Sequence, residues 1–368
     1  MSTQTVFLGG DVMTGRGIDQ ILPHPGDPAL REPSVTDART YVNLADLAGG
    51  SFRRPVGFGW PWGDALAVLD DYAPDIRLFN LETAITAGGR FAHGKAVHYR
   101  MHPGNLPCLT LVRPDVCVLA NNHVLDFGPR GLADTLDTVA AAGIAAVGVG
   151  RDVEQAHRPV VLPLPSGGRV LIAAGGMASS GIPRDWAATA NRPGVALVPD
   201  LSHRSADALA ERALVRKRKG DLAVVSLHWG SNWGYTVASD QVRFARRLVD
   251  AGVDLVHGHS SHHPRPIEVY RGKLILYGCG DLINDYEGIR GFQAYRGELR
   301  LLYFATFDRG EGTLAALRMV AMETKKLRLR HVSCDDAEWL RSSLEHISLR
   351  FGTRVGREPD GTLSVRIA

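Results

Sequence analysis

The sequence of 368 residues has little of what marks several functional classes. Its four cysteines, Cys108, Cys117, Cys279 and Cys334, lie far apart without a CxxC spacing, which argues against a zinc knuckle or a disulfide framework. No apolar run approaches the roughly 20 residues of a membrane span, and the first residues lack the basic and apolar regions of a secretory signal. Lysine and arginine number 42 against 39 aspartates and glutamates, so charge gives no support for nucleic-acid binding. We therefore expect a cytoplasmic protein with no membrane or nucleic-acid partner.

The composition that remains is that of a folded globular protein. Hydrophobic residues make up 45% of the chain and charged residues 22%, which excludes disordered, collagen-like and coiled-coil classes. The length suits one large domain or two ordinary ones. Histidine is the less ordinary component, because four of the 14 histidines lie between residues 257 and 263.

Short apolar runs that end in glycine or polar residues predict buried strands along the first 280 positions. These runs cover residues 6–8, 76–79, 116–119, 222–227, 254–256 and 274–277. Amphipathic patterns predict helices at 130–142, 240–251 and 335–350. Residues 268–277 are typical of a β-hairpin, and residues 299–308 and 313–322 of a second strand pair. Strands that alternate with helices predict a layered α/β architecture with two central sheets.

Two segments show no regular spacing of hydrophobic residues and are predicted to be loops. Residues 22–63 carry Trp60 and Trp62 among prolines and glycines, and residues 176–200 carry Trp186. Long irregular insertions in an α/β domain are either binding loops or plain surface excursions, and the sequence leaves both open.

Polar residues of metal-binding type fall just beyond the predicted strands. They are Asp11, Glu82, Asn122 with His123, His228, and the group His257, His259 and His262. The carboxyl ends of the strands form the edge where open α/β sheets bind ligands. Each residue alone is more often a turn, a cap or an ordinary hydrogen-bonded side chain. Five such positions at strand ends predict a site of oxygen and nitrogen ligands for one or two divalent ions such as Mn²⁺, Zn²⁺ or Fe²⁺.

The motifs around these residues resemble those of a known family. They are GGDVMTGRG at 9–17, FNLETAIT at 79–86, LANNHVLDFG at 119–128, SLHWGSNW at 226–233 and GHSSHHPRPIEVYRGKLILYGCGD at 258–281. In this order they resemble the CapA/PgsA family of poly-γ-glutamate capsule synthesis, within the calcineurin-like metallophosphatase superfamily. The resemblance implies a central β-sandwich flanked by helices, with metals at the carboxyl ends of the strands. The resemblance covers roughly residues 5–325, so we expect one such domain over residues 1–330. The last forty residues fall outside the resemblance, and we expect a helix and tail at 331–368 packed on the domain.

The resemblance also implies a role for each matching position. Asp11 matches the first metal-ligand motif and Glu82 the carboxylate that bridges two metals. Asn122 matches the amide ligand, and His123 beside it the catalytic imidazole.

The remaining implied ligands are histidines. His228 matches the isolated histidine ligand, and His259 and His262 match the paired histidines of the last motif. His257 and His263 have no counterpart in the family pattern, so we interpret them as structural neighbours.

One departure from the superfamily pattern concerns the first motif. Where the pattern has Asp-x-His, this chain has Asp11-Val12-Met13. A thioether is a poor ligand for a hard or borderline dication, so we expect Met13 to pack and one metal position to be poorer in ligands. The sequence therefore favours a mononuclear or asymmetric centre.

Four further residues are candidates for catalysis or substrate binding. Cys279 is either a reactive thiol or a small buried residue, and Asp281 is an acid/base, a group that orients a histidine, or a turn cap. Trp229 and Trp233 follow His228 and either form a wall of a substrate pocket or pack beneath the loop.

Two reactions fit such a site. A metal hydrolase would use His123 to protonate the leaving group of a phosphoester or amide, with Asp11 helping to hold the metal. A peptide epimerase would use two acid/base groups, from among Asp11, His123, His262, Cys279 and Asp281, to invert a Cα. Because the family includes epimerases of lasso-peptide biosynthesis, we predict L-to-D epimerisation of the C-terminal residue of a ribosomal precursor peptide, with metal-dependent hydrolysis of a phosphoester or amide, or poly-γ-glutamate capsule synthesis, as alternatives. A degenerate scaffold without activity is disfavoured, because so many polar ligands converge.

Overall fold

Two β-sheets pack face to face in the computed structural model, which describes residues 3–164 and 167–366, and helices flank them. This α/β sandwich confirms the predicted architecture. Two short strand pairs lie outside the main sheets: β3 (Ala84–Ile85) with β4 (Arg100–Met101), and β7 (Val149–Gly150) with β10 (Gly194–Val195).

The larger sheet has ten strands of mixed direction. They are β1 (Thr3–Val12), β2 (Ile76–Leu81), β5 (Val116–Val118), β6 (Ala145–Val147), β15 (Asp281–Ile283), β16 (Leu299–Asp308), β17 (Leu314–Thr324), β18 (Leu329–His331), β19 (Arg354–Arg357) and β20 (Leu363–Arg366). The spatial order is β19, β20, β17, β16, β1, β2, β5, β6, with β15 paired to β1 and β18 to β17. Strands β1, β2, β5 and β6 run parallel, whereas β16 and β17 form the predicted antiparallel pair.

The smaller sheet has six strands. They are β8 (Val160–Pro163), β9 (Arg169–Gly176), β11 (Leu222–His228), β12 (Leu255–His259), β13 (Ile267–Tyr270) and β14 (Lys273–Leu276). Strands β9, β11, β12 and β14 are parallel neighbours, and β13 with β14 is the predicted hairpin.

The helices confirm the three sequence predictions and add others. They are α1 (Gly17–Ile21), α2 (Arg39–Gly49), α3 (Ala65–Tyr72), α4 (Pro107–Thr110), α5 (Gly128–Ala141), α6 (Val153–His157), α7 (His203–Leu214), α8 (Ser239–Asp250) and α9 (Cys334–Ser348). Single 3₁₀ turns lie at Pro103–Asn105, Ala178–Ser180, Arg184–Trp186, Gln293–Tyr295 and Leu349–Phe351. No helix of the described ranges has the length and apolar character needed to cross a bilayer.

Helix α2 corrects the prediction that residues 22–63 form a loop throughout. Its buried Tyr41, Val42 and Ala45 follow helical spacing, a signal that the surrounding prolines and glycines obscured. In the same segment Trp62 is buried and donates through Nε1 to the carbonyl of Cys108, at 2.7 Å. This tryptophan stabilises the packing of the segment and does not face a ligand.

The last residues are also integrated into the larger sheet. After α9, strands β19 and β20 form a hairpin, and β20 pairs with β17. The segment predicted as a helix and tail after residue 330 thus contains two strands of the central sheet in addition.

Alternate residues of the smaller sheet divide between two hydrophobic cores. Leu222 and Val224 of β11 belong to the core shared with the larger sheet, whereas Val225 and Leu227 belong to a second core with α7 and α8. Because successive side chains of a strand point to opposite faces, this two-residue period determines which face each later residue of β11 occupies.

The same alternation brings polar side chains to the face between the sheets. Ser226 and His228 follow on this inner face of β11, and His257 and His259 follow on the inner face of β12. The His257 Nε2 atom lies 3.0 Å from the Gly9 carbonyl oxygen of β1, so this imidazole joins the two sheets.

A bulge at Gly10 positions the end of β1. Gly9 pairs with Phe79 and Asp11 with Asn80, so Gly10 has no partner on β2. A Cβ at Gly10 would lie 1.7 Å from the Gly280 carbonyl oxygen, which accepts the Asp11 backbone N–H at 3.0 Å. Only glycine therefore permits β15 to approach β1 this closely.

We predict that Gly10→Ala reduces the free energy of unfolding by about 1–3 kcal/mol, because the added methyl forces β15 away from β1. Urea denaturation measures this change. The matched control is Gly57→Ala, since a Cβ at Gly57 meets no atom within 4 Å. Equal stability of the two variants would contradict the role of the bulge.

Candidate metal centre

Asp11 is the carboxylate at the centre of the site. It lies near the end of β1 and is fully buried. Its Oδ1 atom accepts a hydrogen bond of 2.7 Å from Asn80 Nδ2, and its Oδ2 atom accepts one of 3.1 Å from the Ser260 backbone N–H. The first contact comes from the larger sheet and the second from the chain that follows β12. Asp11 thus lies at the junction of the two sheets.

Two imidazoles from the smaller sheet approach Asp11 on one side. His228 and His259 are paired residues at the ends of β11 and β12, and their Nδ1 atoms lie 2.8 Å apart. His228 Nε2 also lies 3.0 Å from Asn122 Oδ1. The ligand atoms of Asp11, His228 and His259 lie within 4.8 Å of one another, which is close enough for one ion to contact all three.

A second group of possible ligands shares Asp11 and contains His262 and Asp281, again within 4.8 Å of one another. His262 Nδ1 lies 2.9 Å from Asp281 Oδ1. Asn284 donates to the other Asp281 oxygen at 2.6 Å. Asp281 enters the site because β15 pairs with β1 so that Asp281 lies opposite Asp11. Asp11 is the carboxylate common to both groups. The bridging role that the family resemblance implies for Glu82 stays a prediction.

Glu82 lies beside the first group. Asn80 Nδ2 contacts Glu82 Oε2 at 3.0 Å, in addition to its bond to Asp11. Glu82 Oε1 lies 3.9 Å from His228 Nε2 and 3.8 Å from His123 Nε2. Glu82 therefore connects the possible metal ligands to the imidazole of His123.

The His123 imidazole is held in a defined orientation. Its Nδ1 lies 2.6 Å from Asp126 Oδ2, and Lys95 Nζ donates to Asp126 Oδ1. Burial would raise the Asp126 pKa, but the neighbouring His123 and Lys95 outweigh it and hold this pKa below its usual value. Burial lowers the His123 pKa to about 4, so the ring is neutral at pH 7. With Nδ1–H donating to Asp126, the Nε2 lone pair points toward the Glu82 side.

The pKa values of Asp11 and Glu82 are both raised. Burial and the nearby Asp281 raise the Asp11 pKa to about 7, despite the hydrogen bonds from Asn80 and Ser260. Burial, followed by the charges of Asp11 and Asp281, raises the Glu82 pKa well above its usual value. The acids therefore hold protons that they would release to a neighbouring cation.

The pKa values of two imidazoles, His228 and His259, are shifted downward, whereas that of His262 is raised. Burial lowers the pKa values of His228 and His259 well below normal, so both rings are neutral, as metal ligands must be. At His262 burial acts in the same direction, but Asp281 outweighs it and the pKa is raised. Neutral imidazoles and closely spaced carboxylates form the donor set of a borderline dication such as Mn²⁺ or Zn²⁺. The residues present therefore fit the divalent metal that the sequence predicted.

Several supporting residues did not follow from single-sequence reasoning. Asn80 bonds two acids at once, and Asn121 Nδ2 donates to Asn80 Oδ1 at 3.0 Å. A signal for Asn80 was present, because residues 80 and 82 share one face of an extended segment. Asp126 stands three residues after His123, a spacing that suits a hydrogen bond in a turn. Lys95 had no local signal.

Three residues singled out in the sequence, Cys279, Trp229 and Met13, are buried in the structure. Cys279 lies in the core between the sheets, and burial raises the pKa of its thiol, so it is the small buried residue of the two alternatives. Trp229 is a correction to the predicted pocket wall: it is buried in the second core and donates to the Tyr277 carbonyl at 3.2 Å. Met13 is fully buried, which agrees with the expected packing role.

The contacts of Trp233, His257 and His263 show where each of these residues lies relative to the site. Trp233 lines a cavity that His262 also lines, so it does lie beside the site. His257 contacts Ser226 Oγ and joins the two sheets. His263 accepts the Gly234 backbone N–H at 3.1 Å and stacks with Trp233. Both histidines thus have structural partners outside the two ligand groups.

Comparison with known proteins identifies the class. The chain belongs to the bacterial capsule synthesis protein PGA_cap family, whose sequence model matches residues 5–286. This confirms the CapA-type resemblance of the motifs.

Individual relatives agree with this family. The chain is 55% identical over 362 residues to a probable polyglutamine synthesis accessory protein of Mycobacterium tuberculosis strain H37Rv, spanning 98% of this chain and 95% of the relative. It is 26% identical over 277 residues to the PGA biosynthesis protein CapA of Bacillus subtilis, spanning 75% of this chain and 62% of the relative. It is 26% identical over 283 residues to the capsule biosynthesis protein CapA of Bacillus anthracis, spanning 76% and 60%.

We predict that Mn²⁺ binding strengthens as pH rises and levels off above about pH 7, because the raised Asp11 pKa of about 7 means that metal must displace a proton below that value. Each displaced proton gives about a tenfold change in apparent Kd per pH unit. Isothermal titration calorimetry in buffers of different ionisation enthalpy measures affinity and proton release together. An affinity that is constant from pH 5.5 to 8 would contradict this account.

Proposed function

We propose that this chain is a metal-dependent hydrolase that cleaves an amide bond in a glutamate-containing chain during polyglutamate-type synthesis. The observation that carries the proposal is the placement of neutral His123 beside two overlapping groups of metal ligands. Glu82 lies 3.8 Å from the His123 ring and 3.9 Å from the His228 ring. A proton acceptor next to a group of metal ligands is an arrangement that supports hydrolysis of an amide.

The site residues divide into those that hold the metal and those that move a proton. Asp11, His228 and His259 would hold one ion, and Asp11, His262 and Asp281 could hold a second. When bound, the cation supplies Lewis-acid polarisation of the substrate oxygen. Asn80 keeps the carboxylates of Asp11 and Glu82 in place by donating to both.

His123 performs the proton transfers in this proposal. Its Nε2 accepts a proton from the attacking water while Asp126 stabilises the imidazolium through Nδ1. The water oxygen bonds to the carbonyl carbon, the C–N bond breaks, and Nε2 returns the proton to the leaving nitrogen. The products are a carboxylic acid and an amine, and His123 ends neutral as it began.

The names of the relatives support the choice of substrate class. The Mycobacterium tuberculosis relative is named for polyglutamine synthesis, and the Bacillus relatives are named for PGA biosynthesis and for capsule biosynthesis. Polyglutamine and polyglutamate chains are joined by amide bonds, so a metal centre that acts on an amide fits them. A phosphoester is the other bond class that such a centre cleaves.

Epimerisation at Cα remains a second reaction for the same metal. It requires a base and an acid on opposite faces of the substrate carbon. Cys279, one of the candidates for the second face, is buried in the core with a raised pKa. His262 and Asp281 support this alternative, because both are candidate acid/base groups and His262 Nδ1 lies 2.9 Å from Asp281 Oδ1.

We predict that His123→Gln lowers turnover of a γ-glutamyl peptide at least about 100-fold while metal content stays unchanged, because His123 moves protons but is outside both ligand groups. His228→Ala should instead lower metal content, measured by plasma mass spectrometry. His331→Gln, at an exposed histidine, is the matched control for both. A His123→Gln variant with full turnover would refute the assignment.

We predict that hydrolysis in D₂O leaves Cα free of deuterium, because no step removes the Cα proton. Mass spectrometry of the recovered peptide measures this directly. Deuterium at one Cα without chain cleavage would establish epimerisation instead. Release of phosphate from a generic ester without peptide cleavage would establish the phosphoesterase.

A further inference from the structure

A cavity of about 310 Å³ opens beside the metal centre. His262 contributes to both, since it belongs to one ligand group and also lines the cavity. Trp233 and Phe292 form an aromatic wall, with parallel rings whose centroids are 4.0 Å apart. Tyr286 lies against His262, with ring centroids 5.1 Å apart. The volume is at the lower end of the roughly 300–1,000 Å³ of small-molecule sites.

Arg300 is the unusual residue of this cavity. It is the second residue of β16 and only 1% exposed. Its Nη1 donates to the carbonyl oxygens of Gly297 and Leu299, whereas Nε is buried without a hydrogen-bond partner. Within 3–164 and 167–366, no carboxylate lies within 4 Å of this guanidinium.

A buried guanidinium without an anion is energetically unfavourable. Arginine stays protonated in proteins, so the charge cannot be removed by titration as it can for lysine. The burial is reflected in a lowered Arg300 pKa, which nearby Asp281 and Glu298 only partly offset. A buried charge is stabilised when a partner ion with matching hydrogen-bond geometry is present. The two backbone carbonyls bind only Nη1, which leaves the edge containing Nε for such a partner.

The other charges of the cavity indicate which anion fits. The Glu298 carboxylate pairs with Arg296, and the Glu287 carboxylate accepts the Leu327 backbone N–H at 2.8 Å. Acidic side chains in the lining accommodate N–H donors of a ligand and disfavour a doubly charged phosphate group. A single carboxylate with a neighbouring amide N–H matches this combination of one buried cation and several acids.

We propose that Arg300 is the specificity-determining residue of a substrate subsite, in which its guanidinium binds a carboxylate of a glutamyl chain. Trp233 and Phe292 would cover the aliphatic part of the glutamyl residue. Because His262 lines the same cavity, the amide bond next to the bound carboxylate would point toward the metal centre. This assignment rests on the proposed function for the identity of the chain, but binding at Arg300 is measurable without any turnover.

The test uses the metal-loaded chain of 368 residues carrying His123→Gln, so that the ligand is not consumed, and γ-glutamylglutamate as the probe. Calorimetry should show saturable binding that Arg300→Gln weakens at least about tenfold. Arg300→Lys should also weaken binding, since it keeps the charge but loses the bidentate edge. It serves as the second variant if Arg300→Gln does not fold.

Lys325→Gln is the matched control, because it removes one positive charge from the same cavity at an exposed position. It should change the affinity less than about twofold. Three results would overturn the subsite. They are binding by Arg300→Gln as tight as that of the parent, no binding by the parent, and equal losses of affinity in Arg300→Gln and Lys325→Gln. Tighter binding of inorganic phosphate than of γ-glutamylglutamate would overturn the choice of a carboxylate.

The two hypotheses fail in different ways. If γ-glutamylglutamate binds through Arg300 but the unsubstituted enzyme cleaves no peptide, the subsite stands and hydrolysis does not. If the Arg300→Gln enzyme, with His123 intact, cleaves peptide as fast and with the same KM as the parent, hydrolysis stands and the subsite does not.

Discussion

The convergence of three buried carboxyl groups, Asp11, Glu82 and Asp281, is the constraint on which the site depends. Hydrogen bonds from Asn80 and Ser260 stabilise the Asp11 carboxylate, yet its pKa is still raised to about 7. Neutral donors are therefore insufficient to hold the Asp11 carboxyl at its usual pKa, and the pKa of Glu82 is raised as well. A divalent cation compensates such a cluster directly, because it replaces several protons with one centre of charge. The chemistry proposed for the site follows from this single electrostatic requirement.

The two sheets contribute complementary parts of the centre. Strands β1, β2 and β15 of the larger sheet carry the acids or place them at the rim, and strands β11 and β12 of the smaller sheet carry the imidazoles. His257 joins the sheets through Gly9, and the Gly10 bulge lets β15 approach β1. Neither sheet alone holds a complete set of metal ligands. The geometry of the site therefore depends on how the two sheets pack against each other. Arg300 lines the cavity next to this junction, together with His262.

Sequence reasoning could predict the residues at strand ends but not their supporting contacts. Polar residues that follow apolar runs identified His228 and His259, because parallel strands bring such positions to one edge. The sharing of Asp11 depends on the pairing of β15 with β1, which joins residues 270 positions apart and has no local signal. Trp229 could not be assigned, since a tryptophan after a strand is equally suited to a core or a pocket. Nothing in the sequence around Arg300 indicates that its side chain is buried, because it lies in an ordinary strand pattern.

Metal binding at Asp11 can be tested with a crystal of the protein that is equilibrated with Mn²⁺ and measured at a wavelength where manganese scatters anomalously. We expect an anomalous peak within roughly 2.0–2.3 Å of an Asp11 carboxylate oxygen, with His228 and His259 or His262 and Asp281 completing the ligands. The peak should disappear in Asp11→Asn. Full occupancy of Mn²⁺ elsewhere, with none at Asp11, would contradict it.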